Sequence, residues 1–456
     1  MISCSLPNYC TSELKYTIKY VLGRLFEYDI GFDETTNDKV IISLGNSKQL
    51  SLSIPFFKFA HDNWLGENTL STNCLFYKND ELIQKGSIPL PVIYGESNIE
   101  LANEVIHCDI DIFGTIFFLL SRYEEGVDGA VLDEHHRFPA TSSVAYKFGF
   151  LERPLVDEYI ELLSALMFRL WPELQRKEQS FSKLITCDVD WPFEPNTQSL
   201  KATLRSSLGD IIKRKNISSA MYRWISFIGN RLGISYRDKP RDKLTWIMEK
   251  NEEVGNKVAF YFITECTDKK FDSAFDFDSP KIRDVFREIH SRGHEIGLHP
   301  GYHCFNNSEN FKRSAKTLKR VLKEEAIEQP MLGGRMHFLR WDSKVTPKLW
   351  EDNGFDYDST LFFADKSGFR CGTSHSFPMY DLLNRKPLKV IQRSLINMEC
   401  TIISPRYENL GYTNKTIQRF EFFKNKVKEY NGEYVLLWHN THFDNQADKD
   451  IYKKII

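Results

Sequence analysis

The chain has 456 residues, 41% of them hydrophobic, and a formal net charge of −2. That length suggests two or three domains with ample material for buried cores, and it argues against disorder. A near-neutral balance, with no Lys/Arg stripe interleaved with aromatics, predicts neither a nucleic-acid binder nor a basic membrane-surface protein.

The nine cysteines are scattered without a Cys-x-x-Cys pair, so no disulfide framework and no cysteine-zinc site is implied. The longest apolar run, 112–120, is too short for a membrane span and is flanked by Asp109, Asp111 and Arg122. Residues 1–19 lack an uninterrupted apolar core of the signal-peptide kind, so the expectation is a cytoplasmic, soluble protein.

In chain order, apolar spacing predicts a helix over 14–28, then strands at 39–44 and 49–54 about the turn Gly45-Asn46-Ser47. Helices follow over 111–125, with Asp111 as cap, and over 154–170. His135 and His136 are adjacent, so their side chains diverge and a solvated loop is expected. The charged, aperiodic stretch 173–182 suits a boundary. The division expected is a smaller α+β N-terminal domain of unknown role, 1–180, and a second domain, 181–456.

The second part opens with a strand at 184–188. A basic helical insertion at about 192–243 follows, with Lys213, Arg214, Lys215, Arg223 and Arg231. Such an insertion is either a solvated face or a lid over the strand ends. Helices are then predicted at 244–253, 279–291, 311–325, 347–353 and 417–430. Between them fall strands at 257–263, 294–298, 331–338, 388–394 and 434–438, with a strand or loop at 356–360. Such alternation implies a parallel barrel or sheet.

Three of these strands deliver chemistry at their carboxyl ends. Asp188 and Asp190 flank Val189 and leave on one face. His299 follows the apolar Ile296 and Leu298, and Pro300 suits the first position of a helical turn, which would bring His303 into line with His299. His439 ends the last strand. Asp190, His299 and His303 would together hold a divalent cation with open positions. Zinc leads, while cobalt, nickel and manganese suit the same donors. Asp188 would take a proton from the activated water and His439 would give one to a leaving group. The bland alternatives are a turn cap for one aspartate and a core position for His439.

The segment from about 181 to 443 resembles the polysaccharide deacetylase family of carbohydrate esterases. Thr186-Cys187-Asp188-Val189-Asp190 matches its first motif, and Gly293-His294-Glu295-Ile296-Gly297 followed by His299 and His303 matches its second. Arg335-Met336-His337-Phe338 resembles the third, with His337 in place of a proline, and Leu436-Leu437-Trp438-His439 the last. The fourth has no clean match, although Gly368-Phe369-Arg370-Cys371-Gly372 occupies its region.

The resemblance implies a distorted (β/α) barrel that removes an N- or O-linked acetyl group from a carbohydrate. In it Asp188 would be the base, Asp190 a metal ligand, and Arg335, with Arg340 as rival, would orient Asp188. The Phe338 N–H would help hold the oxyanion, and Arg370 would contact substrate or a site carboxylate. Trp191, whose indole face suits a pyranose ring, is a further substrate candidate. The implied partner is an acetylated sugar, with no nucleic acid and no membrane span. Two other classes compete. One is a catalytically impaired carbohydrate-binding relative. The other is a metal-dependent glycosyltransferase using Asp188 and Asp190, which would leave the histidines without a role.

Overall fold

Burial alternates along Ile2–Leu6, Lys39–Ser43 and Val105–Ile110, so that each buries one face in a six-stranded mixed sheet. A computed structural model describes residues 1–45, 47–83, 85–86, 89–194, 200–212, 215–232 and 238–456. The spatial order of this first sheet is Ile30–Glu34, Ile2–Leu6, Lys39–Ser43, Gln49–Ser53, Val105–Ile110 and Gly95–Leu101. Helices Thr11–Leu25, Ile112–Leu120 and Leu155–Leu170 pack with it into the core. Asp111 caps the middle one, accepting from the Gly114 N–H at 2.7 Å, and its other oxygen accepts from the Phe56 N–H at 2.7 Å. The centre of the turn expected at Gly45-Asn46-Ser47, Asn46, lies outside the described residues.

A second sheet begins at Ser182–Val189, whose last six residues are buried. It pairs in parallel with Val258–Phe262 on one side and Glu433–Leu437 on the other. Val258–Phe262 is buried at every position, as expected of a strand covered on both faces. The order of the nine strands is Phe377–Asp381, Lys386–Gln392, Tyr357–Asp358, Gly333–Gly334, Glu295–Leu298, Val258–Phe262, Ser182–Val189, Glu433–Leu437 and Asn397–Met398. Helices Pro280–Ser291 and Ser308–Glu324 cover it through stripes such as Ile282, Val285, Phe286 and Ile289.

Two expectations change. A barrel would need its end strands to pair, and among the described residues they do not. The outer edge of Lys386–Gln392, where a closing parallel strand would bond, is taken by the antiparallel Phe377–Asp381. The sheet is therefore open, and the fold is mixed α/β. The strand expected at 331–338 shrinks to Gly333–Gly334 followed by a tight turn at His337–Leu339. A Cβ on Gly334 would lie 1.9 Å from the Leu298 carbonyl oxygen, so the neighbouring strands approach there at a distance only glycine permits.

Of the basic insertion, the described residues form helices Leu200–Ile212, Ile217–Leu232 and Lys239–Glu252, while 195–199, 213–214 and 233–237 lie outside them. The N-terminal residues pack against the second part by polar as well as apolar contacts. Asp157 accepts from the Arg24 guanidinium at 2.7 Å and from the Ser374 N–H and hydroxyl at 2.9 Å each. Among the described residues no helix is long and apolar enough to cross a membrane.

Candidate metal centre and its pocket

The chemistry-bearing side chains gather at the carboxyl ends of the parallel strands, where open α/β sheets place their sites. Asp188 is the penultimate residue of its strand and is 2% exposed. Its Oδ1 accepts from Arg335 Nη1 at 2.7 Å, and Arg335 is itself fixed by the Thr186 hydroxyl, the Ser359 carbonyl and the Ser359 hydroxyl. Burial pushes the Asp188 carboxyl up, but the charge of Arg335 and its hydrogen bond outweigh it and hold the group below the usual carboxylate range.

Asp190, His299 and His337 form a second group, with one ligand atom from each lying within 4.8 Å of the others. His299 Nε2 is 3.8 Å from Asp190 Oδ1 and 3.7 Å from Asp188 Oδ2, and His337 Nε2 is 3.6 Å from Asp190 Oδ1. The tautomers follow from the far nitrogens. His299 Nδ1 lies 2.6 Å from the Arg335 carbonyl oxygen and His337 Nδ1 lies 2.8 Å from Asp272 Oδ1, so each Nδ1 donates and each Nε2 presents a lone pair. Burial drives His299 down to about 4, so its ring is neutral near pH 7.

Asp190 Oδ1 and His299 Nε2 are buried and lack any hydrogen-bond partner. Acceptors facing one another without a proton or a cation between them are costly. The donor set therefore fits a divalent ion, and the Asp272–His337 pair is the carboxylate–histidine support that such ions use. Asp272 is held to about 2: burial raises it, and hydrogen bonds from His337 and Thr267 more than compensate.

His303, expected as the third ligand, is elsewhere. Residues 300–303 form a non-helical turn, and Gly301 sits against the 265–272 loop, where a Cβ would be 2.6 Å from the Glu265 carbonyl oxygen. The His303 N–H donates to the Thr267 hydroxyl at 2.9 Å, and its half-exposed ring meets Asp268 at 3.1 Å. His337, read in the sequence as a substituted proline, takes the position beside Asp190 instead.

His439 follows the strand Glu433–Leu437, and its Nε2 is 4.0 Å from Asp188 Oδ2. Its Nδ1 donates to Glu399 Oε1 at 2.5 Å. Glu399 is fully buried and starts the short helix after Asn397–Met398. Burial alone would lower His439, but Glu399 and Cys400 hold it well above the ordinary imidazole value, which favours the protonated ring. Nothing in the sequence marks either residue, since Glu399 stands alone and Asp272 is one of several aspartates between 268 and 278.

Asp188, Asp190, His337, Phe338 and His439 line one cavity of about 270 Å³. Phe338 and Leu339 in its wall hold left-handed backbone, at φ 61° and 56°, which is strain of the kind that collects at functional sites. Arg137, from the N-terminal part, also lines the cavity and donates to the Phe338 carbonyl at 3.2 Å and to the Tyr407 hydroxyl at 3.3 Å. The neighbouring His135 is buried and bonds Tyr302 at 3.0 Å, so the solvated loop expected there is part of the wall behind the site.

Three expected substrate contacts are engaged away from the cavity. Arg340 donates to the His135 and Tyr302 carbonyls and stacks on the Tyr302 and Phe305 rings at 3.9 Å each, which leaves Arg335 alone beside Asp188. Arg370 is clamped bidentately on Glu125 at 2.7 and 2.8 Å. Trp191 is half-buried and packs edge-on against Phe275 at 5.7 Å.

A family model described as "Family of unknown function (DUF7033)" matches residues 2–172. No curated protein matches the chain in sequence. Among solved structures, the chain is similar to a Mycobacterium smegmatis protein assigned as a polysaccharide deacetylase, at 16% identity and TM-score 0.39, over 61% of this chain and 83% of that one. It is also similar to PuuE allantoinase, at 13% identity and TM-score 0.36 over 61% and 83%. A third likeness is to a mutant of a CE4 family pseudoenzyme with restored enzymatic activity, at 11% identity and TM-score 0.28 over 60% and 62%. Likenesses this low carry no functional conclusion by themselves.

Proposed function

We propose that this chain is a metal-dependent hydrolase that removes an acetyl group, N- or O-linked, from a carbohydrate. The observation that carries the reading is the pair of buried, unpartnered acceptors Asp190 Oδ1 and His299 Nε2, 3.8 Å apart, beside a carboxylate held by arginine that a glutamate-held histidine also approaches.

In this reading Asp190, His299 and His337 hold the divalent cation, with zinc foremost and cobalt, nickel or manganese compatible. The cation supplies Lewis acidity to the acetyl carbonyl and to water. Asp188, anionic and anchored through Oδ1, keeps Oδ2 to receive a proton from the attacking water. His439, charged and oriented by Glu399, gives a proton to the departing amine or alkoxide. Acetate and the free sugar group are the products. The Phe338 backbone N–H is the proposed oxyanion donor, supported by its left-handed turn in the cavity wall. An Asp-x-Asp glycosyltransferase is disfavoured because Arg335 already occupies Asp188. Residues 1–180 and 181–456 are taken as two units, the first contributing Arg137 to the cavity of the second.

The test is metal analysis of the purified protein together with acetate release from a panel of acetylated sugars. One bound equivalent, lost in Asp190→Ala, and acetate release, lost in Asp188→Asn, are expected. A metal-free protein that releases no acetate when supplied with zinc, cobalt, nickel or manganese would overturn the proposal.

A further inference from the structure

The helical hairpin Leu200–Ile212 and Ile217–Leu232 leaves the chain just after Asp190 and Trp191, at the end of the strand that carries the candidate site. Its polarity is inverted. Thr203, Ser207 and Asp210 of the first helix and Ala220 and Ser226 of the second are buried. Outward along the first helix run Leu200, Leu204, Leu208 and Ile212, each 49–70% exposed. At the same spacing the second helix shows Ile217, Met221, Ile225 and Ile228, each 41–65% exposed. With Ile211, this hairpin carries nine of the twenty exposed large hydrophobic residues among the described residues, so the apolar surface is concentrated rather than scattered.

The charges on the same element have one sign. Residues 200–232 hold seven Lys and Arg and one acid, Asp210, in a chain whose net charge is −2. Asp210 is buried and bonded to Arg223 Nε at 2.6 Å, so it offers no counter-charge outward. Lys201, Arg205, Lys215 and Arg231 are exposed. A second copy of the hairpin on this face would set like charges against like. Helices of 13 and 16 residues are also shorter than the roughly 20 apolar residues needed to span a bilayer. Leucine and isoleucine rows flanked by lysine and arginine are the pattern of helices that lie in the plane of a membrane interface.

We propose that the helices Leu200–Ile212 and Ile217–Leu232 dock this protein onto an anionic lipid surface, their apolar rows entering the headgroup boundary and Lys201, Arg205 and Arg231 pairing with lipid phosphates. The overall charge gives no sign of this, because acids elsewhere in the chain cancel the local excess.

Co-sedimentation of the full chain with vesicles tests it. Wild type should bind vesicles of phosphatidylcholine with phosphatidylglycerol, release with added salt, and ignore phosphatidylcholine alone. Lys201→Gln/Arg205→Gln should weaken binding about 30-fold, as expected for two charges near an anionic surface. Leu208→Glu/Ile225→Glu should abolish it, with circular dichroism and melting temperature unchanged in both variants. Binding to neither vesicle, equal binding to both, or undiminished binding by the two variants would each overturn the proposal. So would a wild-type dimer that Leu208→Glu/Ile225→Glu converts to monomer, because the face would then belong to a second copy.

Discussion

His337 Nε2 lies 3.6 Å from Asp190 Oδ1, while the other nitrogen of the same ring is held by Asp272. The metal set proposed from this is Asp190, His299 and His337, and it separates two histidines that the sequence spacing does not. His337→Ala should therefore lose the bound metal, and His303→Ala should keep it. Asp272→Asn should weaken metal binding by about 10–100-fold, as loss of a supporting carboxylate does. Elemental analysis after dialysis against a graded chelator reads all three.

Asp188→Asn should keep the metal and lose about 10²–10⁴ in acetate release, the usual share of a positioned base. Arg335→Met removes the partner of a buried carboxylate and should cost about 3–5 kcal/mol of stability, read by denaturant unfolding. The double variant Asp188→Asn/Arg335→Met should recover part of that loss, since no unpaired charge then remains.

Glu399→Gln should act through His439. With Glu399 ionised, His439 sits well above the ordinary imidazole value and keeps its proton through neutral pH, losing it as the pH rises further. Removing that charge lets burial dominate, so the alkaline limb of the kcat/KM profile should move to lower pH. An unmoved limb would show that His439 is not the acid.

Gly334→Ala should be disruptive although the site is one methyl larger at most. The new Cβ would meet the Leu298 carbonyl oxygen at 1.9 Å, so the strands carrying His299 and Arg335 must part. A loss of about 1–3 kcal/mol in stability is expected, with weaker metal binding.

Residues that directly follow a buried apolar run were legible in the sequence. Asp188, Asp190, His299 and His439 all stand at such ends, and period-two burial tells which face they leave. His337 was not legible as a neighbour of Asp190, because its direction depends on a turn with left-handed backbone at Phe338 and Leu339, which no side-chain pattern announces. The helical turn that Pro300 suggests does not form, and His303 is held instead by the remote Thr267 and Asp268, which no local spacing announces. Glu399 and Asp272 come from segments remote in the chain, so their pairing with His439 and His337 exists only in three dimensions. Barrel closure failed as an expectation because strand periodicity does not say which edge an antiparallel hairpin will occupy.

The clamp between Arg370 and Glu125 reaches across the two halves of the chain, and Arg122 donates to the Arg370 carbonyl beside it. A fragment beginning at 181 would take Glu125 from that guanidinium and Arg137 from the cavity. Cutting the chain at 180 would therefore change the wall of the cavity as well as the packing beneath it, because side chains from both sides of that point build it.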